Sequence, residues 1–416
     1  MRLSRVLLHS LVFSPDGVST AYIMTELALE LKRLGHSITV LTTTPHYNVD
    51  QGALACQPMQ KYWFGLLYRS ECNGIPVWHV KLPMKGNRVW ARVIDYLRFH
   101  ILSLVASLRT IGPQDVVIAT SPPLTIGVIS WLLGLRWHSP SVYKVAEVYP
   151  DLAIRQGVVR GKIMIGMMRW LEQLVYSRNA MIVPIADQFS DVIRSRGVPD
   201  RKLLTIPDFV DTDLYKPLPR DNPFAKKHGL LDDFIVLYGG NVGMVQDWES
   251  VLFAAENLSE YPIMFVIVGD GARWEWLSDE INKRRLRNVK LLGYQAKELM
   301  PQINASCDIG IIPMTRAGSQ DGFPSKIYSN LASAKPVIVS ADPNSGMAAI
   351  VRRVGCGRVV PPEDRQAYAD AVLTAFRERE TLPVEGERGR KFVEKDYSKE
   401  AIARKYDALI HQLTEH

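Results

Sequence analysis

Gly318-Ser319-Gln320-Asp321-Gly322-Phe323-Pro324-Ser325-Lys326-Ile327-Tyr328-Ser329-Asn330-Leu331-Ala332 brings a serine, a lysine and the start of a helical pattern together. Ser325 is placed to cap a helix opening at Lys326, so free amides, the positive helix end and an ammonium would meet at one point. Such a point holds an anion. Read more plainly, the same residues form a capped surface helix with a solvated lysine. Three strand-to-helix turns carry glycine: Asp16-Gly17, Gly239-Gly240-Asn241-Val242-Gly243 and Gly269-Asp270-Gly271. Glycine lets backbone amides approach a phosphate, and the following helix offers its positive end. One such turn needs glycine for geometry alone; three of them at strand ends point to a diphosphate. In Lys144-Val145-Ala146-Glu147-Val148-Tyr149-Pro150-Asp151, two carboxylates stand just past a strand end, where they orient hydroxyls or move a proton. Asp151 also fits as the cap of the next helix. The histidines form no metal-like cluster in the sequence, and neither a Gly-x-Ser-x-Gly elbow nor a Walker lysine loop is present.

These residues need strands to hold them. Val6 to Leu11 and Ile38 to Thr42 read as buried strands with a helix at Thr20 to Leu34 between them, a βαβ unit. Further strands are expected at 116–119, 141–145 and 181–183, and a second series at 234–238, 264–268, 289–292, 308–312 and 336–339. Repeated βα alternation implies parallel sheets covered on both faces. Between the two series, Thr205 to Pro217 breaks all periodicity with prolines and aspartates. The expected organisation is an acceptor-binding domain at 1–200, a linker at 201–217, a nucleotide-sugar-binding domain at 218–395, and a helix at 396–416 returning toward the first domain. Both domains are of the doubly wound α/β class and are expected to face a central cleft.

The chain is 416 residues long with 47% hydrophobic and 22% charged residues, enough for two ordinary cores. Its four cysteines are far apart, which excludes a zinc ribbon or a disulfide framework and fits a reducing compartment. No cleavable leader is recognised at the start, and the longest apolar stretch, Leu124 to Leu135, falls short of the roughly 20 residues a spanning helix needs. Charge is uneven: residues 1–200 hold 21 Lys/Arg against 13 Asp/Glu, the rest 29 against 30. Around Tyr62 to Arg69 and Arg88 to Arg109 the basic residues alternate with aromatics and aliphatics, with Trp63, Phe64 and Trp90 reading as exposed. That mixture suits an anionic membrane surface, although an ordinary core-facing helix with a basic outer side explains 92–97 equally well. No nucleic-acid module is recognised. The expected location is cytoplasmic, peripheral on the inner face of the cell membrane.

In order and spacing, the glycine loop with Leu34-Gly35-His36-Ser37-Ile38-Thr39-Val40-Leu41-Thr42, Val148-Tyr149-Pro150-Asp151, Ile206 to Pro217, Ile267-Val268-Gly269-Asp270-Gly271, Phe323-Pro324-Ser325-Lys326 and Ala334-Lys335-Pro336-Val337-Ile338 resemble the family-four retaining glycosyltransferases of the GT-B fold. The resemblance covers nearly the whole chain and lies closest to the bacterial surface-polysaccharide branch, which includes O-antigen and capsule amino-sugar transferases. It implies a retaining, metal-independent enzyme without a cofactor that moves a hexosyl or N-acetylhexosaminyl unit from a nucleotide sugar, UDP-sugar favoured, to a lipid-linked saccharide. The family's arginine and lysine for the donor diphosphate fall on Asn241 and Gln246, and its two glutamates fall on Asp321 and Ser329. Lys326 is the remaining cation. By this resemblance Gly17, Gly240, Gly269, Gly271 and Lys326 serve the phosphates. Asp321, Gly322 and Phe323 serve the sugar and Leu292 to Tyr294 the base, while Ser329, at the donor-binding position of the family's second glutamate, lacks that residue's paired acceptors for the ribose diol. Glu147, Tyr149 and Asp151 face the acceptor. A nucleotide-sugar epimerase of the same fold and a catalytically silent partner subunit are the alternatives.

Overall fold

Aliphatic runs such as Phe234-Ile235-Val236-Leu237 are apolar on both faces, a pattern satisfied only inside a sheet covered on both sides. The computed structural model describes residues 3–47, 49–83, 89–151, 154, 159, 161–321 and 325–415. It divides into two units, Met1–Asp208 with Ile402–His416, and Phe209–Ala401. The division falls inside the 201–217 segment. Residues up to Asp208 stay with the first unit because Leu204 and Ile206 donate their backbone N–H groups to Ile182 and Pro184 at 3.2 and 3.0 Å.

The first unit holds eight strands among its described residues: β1 (Arg5–His9), β2 (Ser37–Thr43), β3 (Gln60–Tyr62), β4 (Leu67–Cys72), β5 (Ile75–Val80), β6 (Val116–Thr120), β7 (Ser141–Val145) and β8 (Met181–Pro184), in the order β3-β4-β5-β2-β1-β6-β7-β8. Five of the pairings are parallel, whereas β3–β4 and β4–β5 are antiparallel. The hairpin was not legible, because its outer strand β3 is wholly exposed and shows no alternation of apolar and polar residues. Leu7, Val117 and Phe99 lie at the centre of this unit's core, the last from the long helix Val89–Arg109.

The second unit carries β9 (Phe234–Gly239), β10 (Ile263–Val268), β11 (Val289–Leu292), β12 (Ile309–Pro313), β13 (Val337–Ser340) and β14 (Gly357–Val360), in the order β11-β10-β9-β12-β13-β14 and parallel throughout. Val236, Phe265 and Ile311 are fully or almost fully buried at its centre. The strand β14, absent from the sequence-based expectation, is only four residues long and partly exposed. Among the described residues no helix is long and apolar enough to cross a membrane.

Candidate active site

In the second unit the strand order reverses between β9 and β12, and open α/β sheets bind ligands outside the carboxyl ends of the strands at such a reversal. Gly240 follows β9, and Lys326 opens the helix Lys326–Ala332, the second after β12, and returns to the same edge beside Gly240. Lys326 is half-buried, and its Nζ donates to the Tyr238 hydroxyl at 2.5 Å while lying 3.9 Å from the centroid of the same ring. Tyr238 in turn donates to the carbonyl of Asn241 at 2.5 Å. A Cβ at Gly240 would stand 3.1 Å from Lys326 Nζ, so glycine is what leaves the ammonium against the loop backbone. Burial pulls the Lys326 pKa down to about 7, because desolvation penalises the charged form. Among the described residues Lys326 makes no ion pair to offset the loss. An ammonium desolvated without a counter-ion at a strand edge is poised to gain from an incoming anion.

The expected cap differs. Ser325 has helical backbone angles and its side chain makes no capping bond, so the anion reading here rests on the ammonium and not on a capped helix end. Gly269 and Gly271 answer to packing geometry: a Cβ on Gly269 would lie 1.9 Å from the Gly240 carbonyl oxygen, and one on Gly271 2.4 Å from that of Val242. Their positive φ angles of 149° and 158° exclude most L side chains as well. Gln246 closes the loop, its Oε1 accepting from the Gly243 N–H at 2.9 Å. Asn241 is exposed beside it. Ser329 donates back to the Lys326 carbonyl at 3.0 Å one turn along the helix. Leu292 ends β11 and its carbonyl accepts from Gly269 at 3.0 Å, while Tyr294 stands 78% exposed just beyond, an open ring face for a base. Of Asp321 only the backbone is described, as the last residue of Arg316–Asp321; Gly322 and Phe323 lie outside the described residues.

In the first unit Glu147 follows β7 and makes no hydrogen bond or ion pair among the described residues. Burial raises its pKa, because desolvation penalises the charged carboxylate. Tyr149 lies close by, its phenol pushed up to about 12 by burial, then by Glu147 and Tyr96. Asp151, expected at the acceptor or as a helix cap, pairs its two oxygens with Arg169 and Arg196, both of which also bind the buried Glu172. Charges brought out of water must be paired, and this network holds the helix Lys162–Arg178 to the segment after it. Gly17 is exposed and precedes the helix Ser19–Arg33, in a loop pinned by Asp16, whose carboxylate accepts from the His46 and Tyr47 N–H groups at 3.1 Å each.

One trio among the described residues has metal-like spacing, His36, Asp407 and His411. Its hydrogen bonds argue for a different role. The Ser4 N–H donates to His36 Nδ1 at 3.3 Å, so the ring proton sits on Nε2, 2.9 Å from Asp407, where a metal would need a lone pair. Asp407 also receives His411 at 3.1 Å, and the three fasten the C-terminal helix Lys399–Thr414 to the first unit. Sequence reasoning also missed Tyr238, though a hydroxyl at the end of an otherwise aliphatic strand was the available signal. It missed as well a hollow of about 540 Å³ lined by Met244, Gln246, Arg273, Trp276, Glu363 and Arg365 among others, whose walls come from separate segments.

Two doubly wound units with glycine turns at the carboxyl strand ends define the GT-B class of glycosyltransferase folds. The solved structure of Anabaena Alr3699/HepE in complex with UDP superposes with a TM-score of 0.70 at 14% identity, covering 98% of this chain and 100% of that one. The family model for glycosyl transferases group 1 matches residues 221–392, and that for the glycosyl transferase 4-like domain matches residues 20–208. The chain belongs to the family-four glycosyltransferases. Among curated relatives, the putative colanic acid biosynthesis glycosyl transferase WcaI of Escherichia coli (strain K12) is 23% identical over 97% of this chain and 98% of its own length. The probable glycosyltransferase WbjE of Pseudomonas aeruginosa is 25% identical over 70% of this chain and 73% of its own.

Proposed function

We propose that this enzyme transfers a hexosyl or N-acetylhexosaminyl unit, with retention and without a metal, from a nucleotide diphosphate sugar to a lipid-linked saccharide at an anionic membrane surface. The observation that carries the reading is the Lys326 ammonium, desolvated beside Tyr238 and Gly240 at the strand reversal of the second unit. In the transfer, an acceptor hydroxyl oxygen bonds to the anomeric carbon while the bond from that carbon to the diphosphate breaks, its electron pair leaves on the diphosphate, and the departing diphosphate oxygen takes up the hydroxyl proton. A cation already in place for that charge stabilises the transition state without reorganisation, and electrostatic help of this kind usually lowers such barriers more than any other effect. Lys326 serves the diphosphate, Tyr294 the base, the Asp321-Gly322-Phe323 segment the donor sugar, and Glu147 the acceptor. A UDP-sugar is favoured, as the UDP complex of the similar Anabaena protein supports. The name of WcaI, a putative colanic acid biosynthesis glycosyl transferase, supports a place in bacterial polysaccharide synthesis.

Titration calorimetry with UDP, against the wild type and Lys326→Ala, tests this. Tight binding lost in the variant is the expected result. Equal affinity in both places the diphosphate elsewhere, and no binding by the wild type points to a silent partner subunit. Transfer that survives a chelator is expected; loss with EDTA and recovery with magnesium overturns the metal-free mechanism.

A further inference from the structure

Three helices of the first unit lie side by side over its sheet: Val89–Arg109, Ile126–Trp137 and Lys162–Arg178. On Lys162–Arg178 the inward face is Glu172, Val175 and Tyr176, and the opposite face, at helical spacing, is Ile163, Met167 and Trp170. These are 91%, 54% and 64% exposed. Val89–Arg109 repeats the arrangement, with Phe99, Ser103 and Ala106 buried and Leu97 and Ile101 exposed on the other side. Scattered exposed apolar residues need no explanation, whereas apolar stripes at helical period on adjacent helices do.

The stripes have a basic frame. The three helices carry seven Lys/Arg and only two Asp/Glu. One of the two, Glu172, is fully buried between Arg169 and Arg196 and presents no charge outward. Arg178 stacks on Trp131 at 5.2 Å, tying Lys162–Arg178 to Ile126–Trp137. Arg109 stacks on Trp63 at 5.2 Å, tying the far end of Val89–Arg109 to the Trp63–Gly65 turn, from which Phe64 projects fully exposed.

We infer that the outer faces of these three helices, led by Ile163, Met167 and Trp170, form one surface that seats the first unit in the headgroup layer of an anionic bilayer. The inference rests on the reading of a membrane-surface acceptor and deepens it, since the helix Lys162–Arg178 was not among the segments that sequence alone assigned to lipid. Aliphatic and Trp side chains bury in the acyl boundary while arginines around them meet lipid phosphates.

The test is flotation of the full chain with vesicles of phosphatidylcholine alone or mixed with phosphatidylglycerol, free of any saccharide acceptor. The variants are Ile163→Ser/Met167→Ser/Trp170→Ser and, separately, Phe64→Ser, with UDP-induced thermal shift recorded for each as a check on fold and donor site. Wild type floating with anionic vesicles, weakening with salt, and the triple variant losing at least tenfold in apparent affinity at unchanged thermal shift, is the expected result. Triple-variant flotation equal to wild type, with loss only in Phe64→Ser, overturns the helix surface while leaving membrane docking through the hairpin. A wild type that floats with neither vesicle overturns both. A dimer that the triple variant converts to monomer, by light scattering, shows the stripe to be a contact between copies of the chain and overturns the lipid assignment.

Discussion

Lys326 and Tyr238 come from elements 88 residues apart and meet with the ammonium 2.5 Å from the hydroxyl and 3.9 Å from the ring centroid. The ring face, negative in its quadrupole, partly replaces the water that burial removes, and the hydroxyl passes the constraint on to the Asn241 carbonyl. One lysine thereby fixes the loop that begins at Gly240.

Donor affinity should fall as pH rises above neutrality. With its pKa at about 7, free Lys326 is half-charged there, and a bound diphosphate requires the charged form. Each further pH unit then costs up to about tenfold in affinity, until the bound-state pKa is passed. UDP titrations from pH 6 to 9 measure this; an affinity flat across the range places no titrating lysine at the diphosphate.

Lys326→Met should stabilise the free protein while abolishing donor binding. The unfolded lysine keeps a proton up to its ordinary 10.5, the folded one releases it near 7, so folding of the wild type expels a proton between those values. Wild-type stability therefore rises with pH across that window, and the penalty is fully present below pH 7. Thermal denaturation at pH 6.5 and 9.5 should show the variant's advantage shrinking at the higher pH.

Tyr238→Phe removes the one hydroxyl that joins lysine to loop. It leaves the Asn241 carbonyl and the Lys326 ammonium each short of a partner, at a cost of about 1–3 kcal/mol. The expected readout is a lower melting temperature with UDP affinity reduced several-fold, and an affinity held at wild-type level shows the loop to be positioned by other contacts.

Gly269→Ala should be far more damaging than Gly293→Ala. The added methyl would meet the Gly240 carbonyl at 1.9 Å in the first case and no atom within 4 Å in the second. Since both substitutions change the unfolded chain alike, their difference in denaturant midpoint reports the clash together with the strain of a side chain at the positive φ of residue 269.

Asp151→Asn is expected to act on stability and Glu147→Gln on transfer. Halving the negative charge that holds Arg169 and Arg196 should destabilise by about 1–4 kcal/mol, whereas Glu147 has no partner among the described residues to lose. Chemical denaturation and single-turnover transfer, run on both variants, separate the roles; Asp151→Asn with native stability and no transfer returns Asp151 to the acceptor.

Alternation of buried strands with amphipathic helices was legible in the sequence, because each element's period is a local property of the chain. Ser141-Val142-Tyr143-Lys144-Val145 needed no knowledge of its neighbours to be read, and it is a strand as expected. The placing of Glu147 just past a strand end and of Lys326 at a helix start was legible too, since it follows from chain order alone.

What the tertiary structure alone decided are the meetings between distant segments. Gln246 folds onto its own loop, Asp151 is taken by two arginines, and Ser325 leaves its helix uncapped, each against expectation from local pattern. The partner of Lys326 is Tyr238, and the stripe of Ile163, Met167 and Trp170 gains its neighbours only when three helices line up. Side-chain partnership depends on strand order and loop packing, which bring together residues of high sequence separation, and no periodicity along the chain encodes those distances.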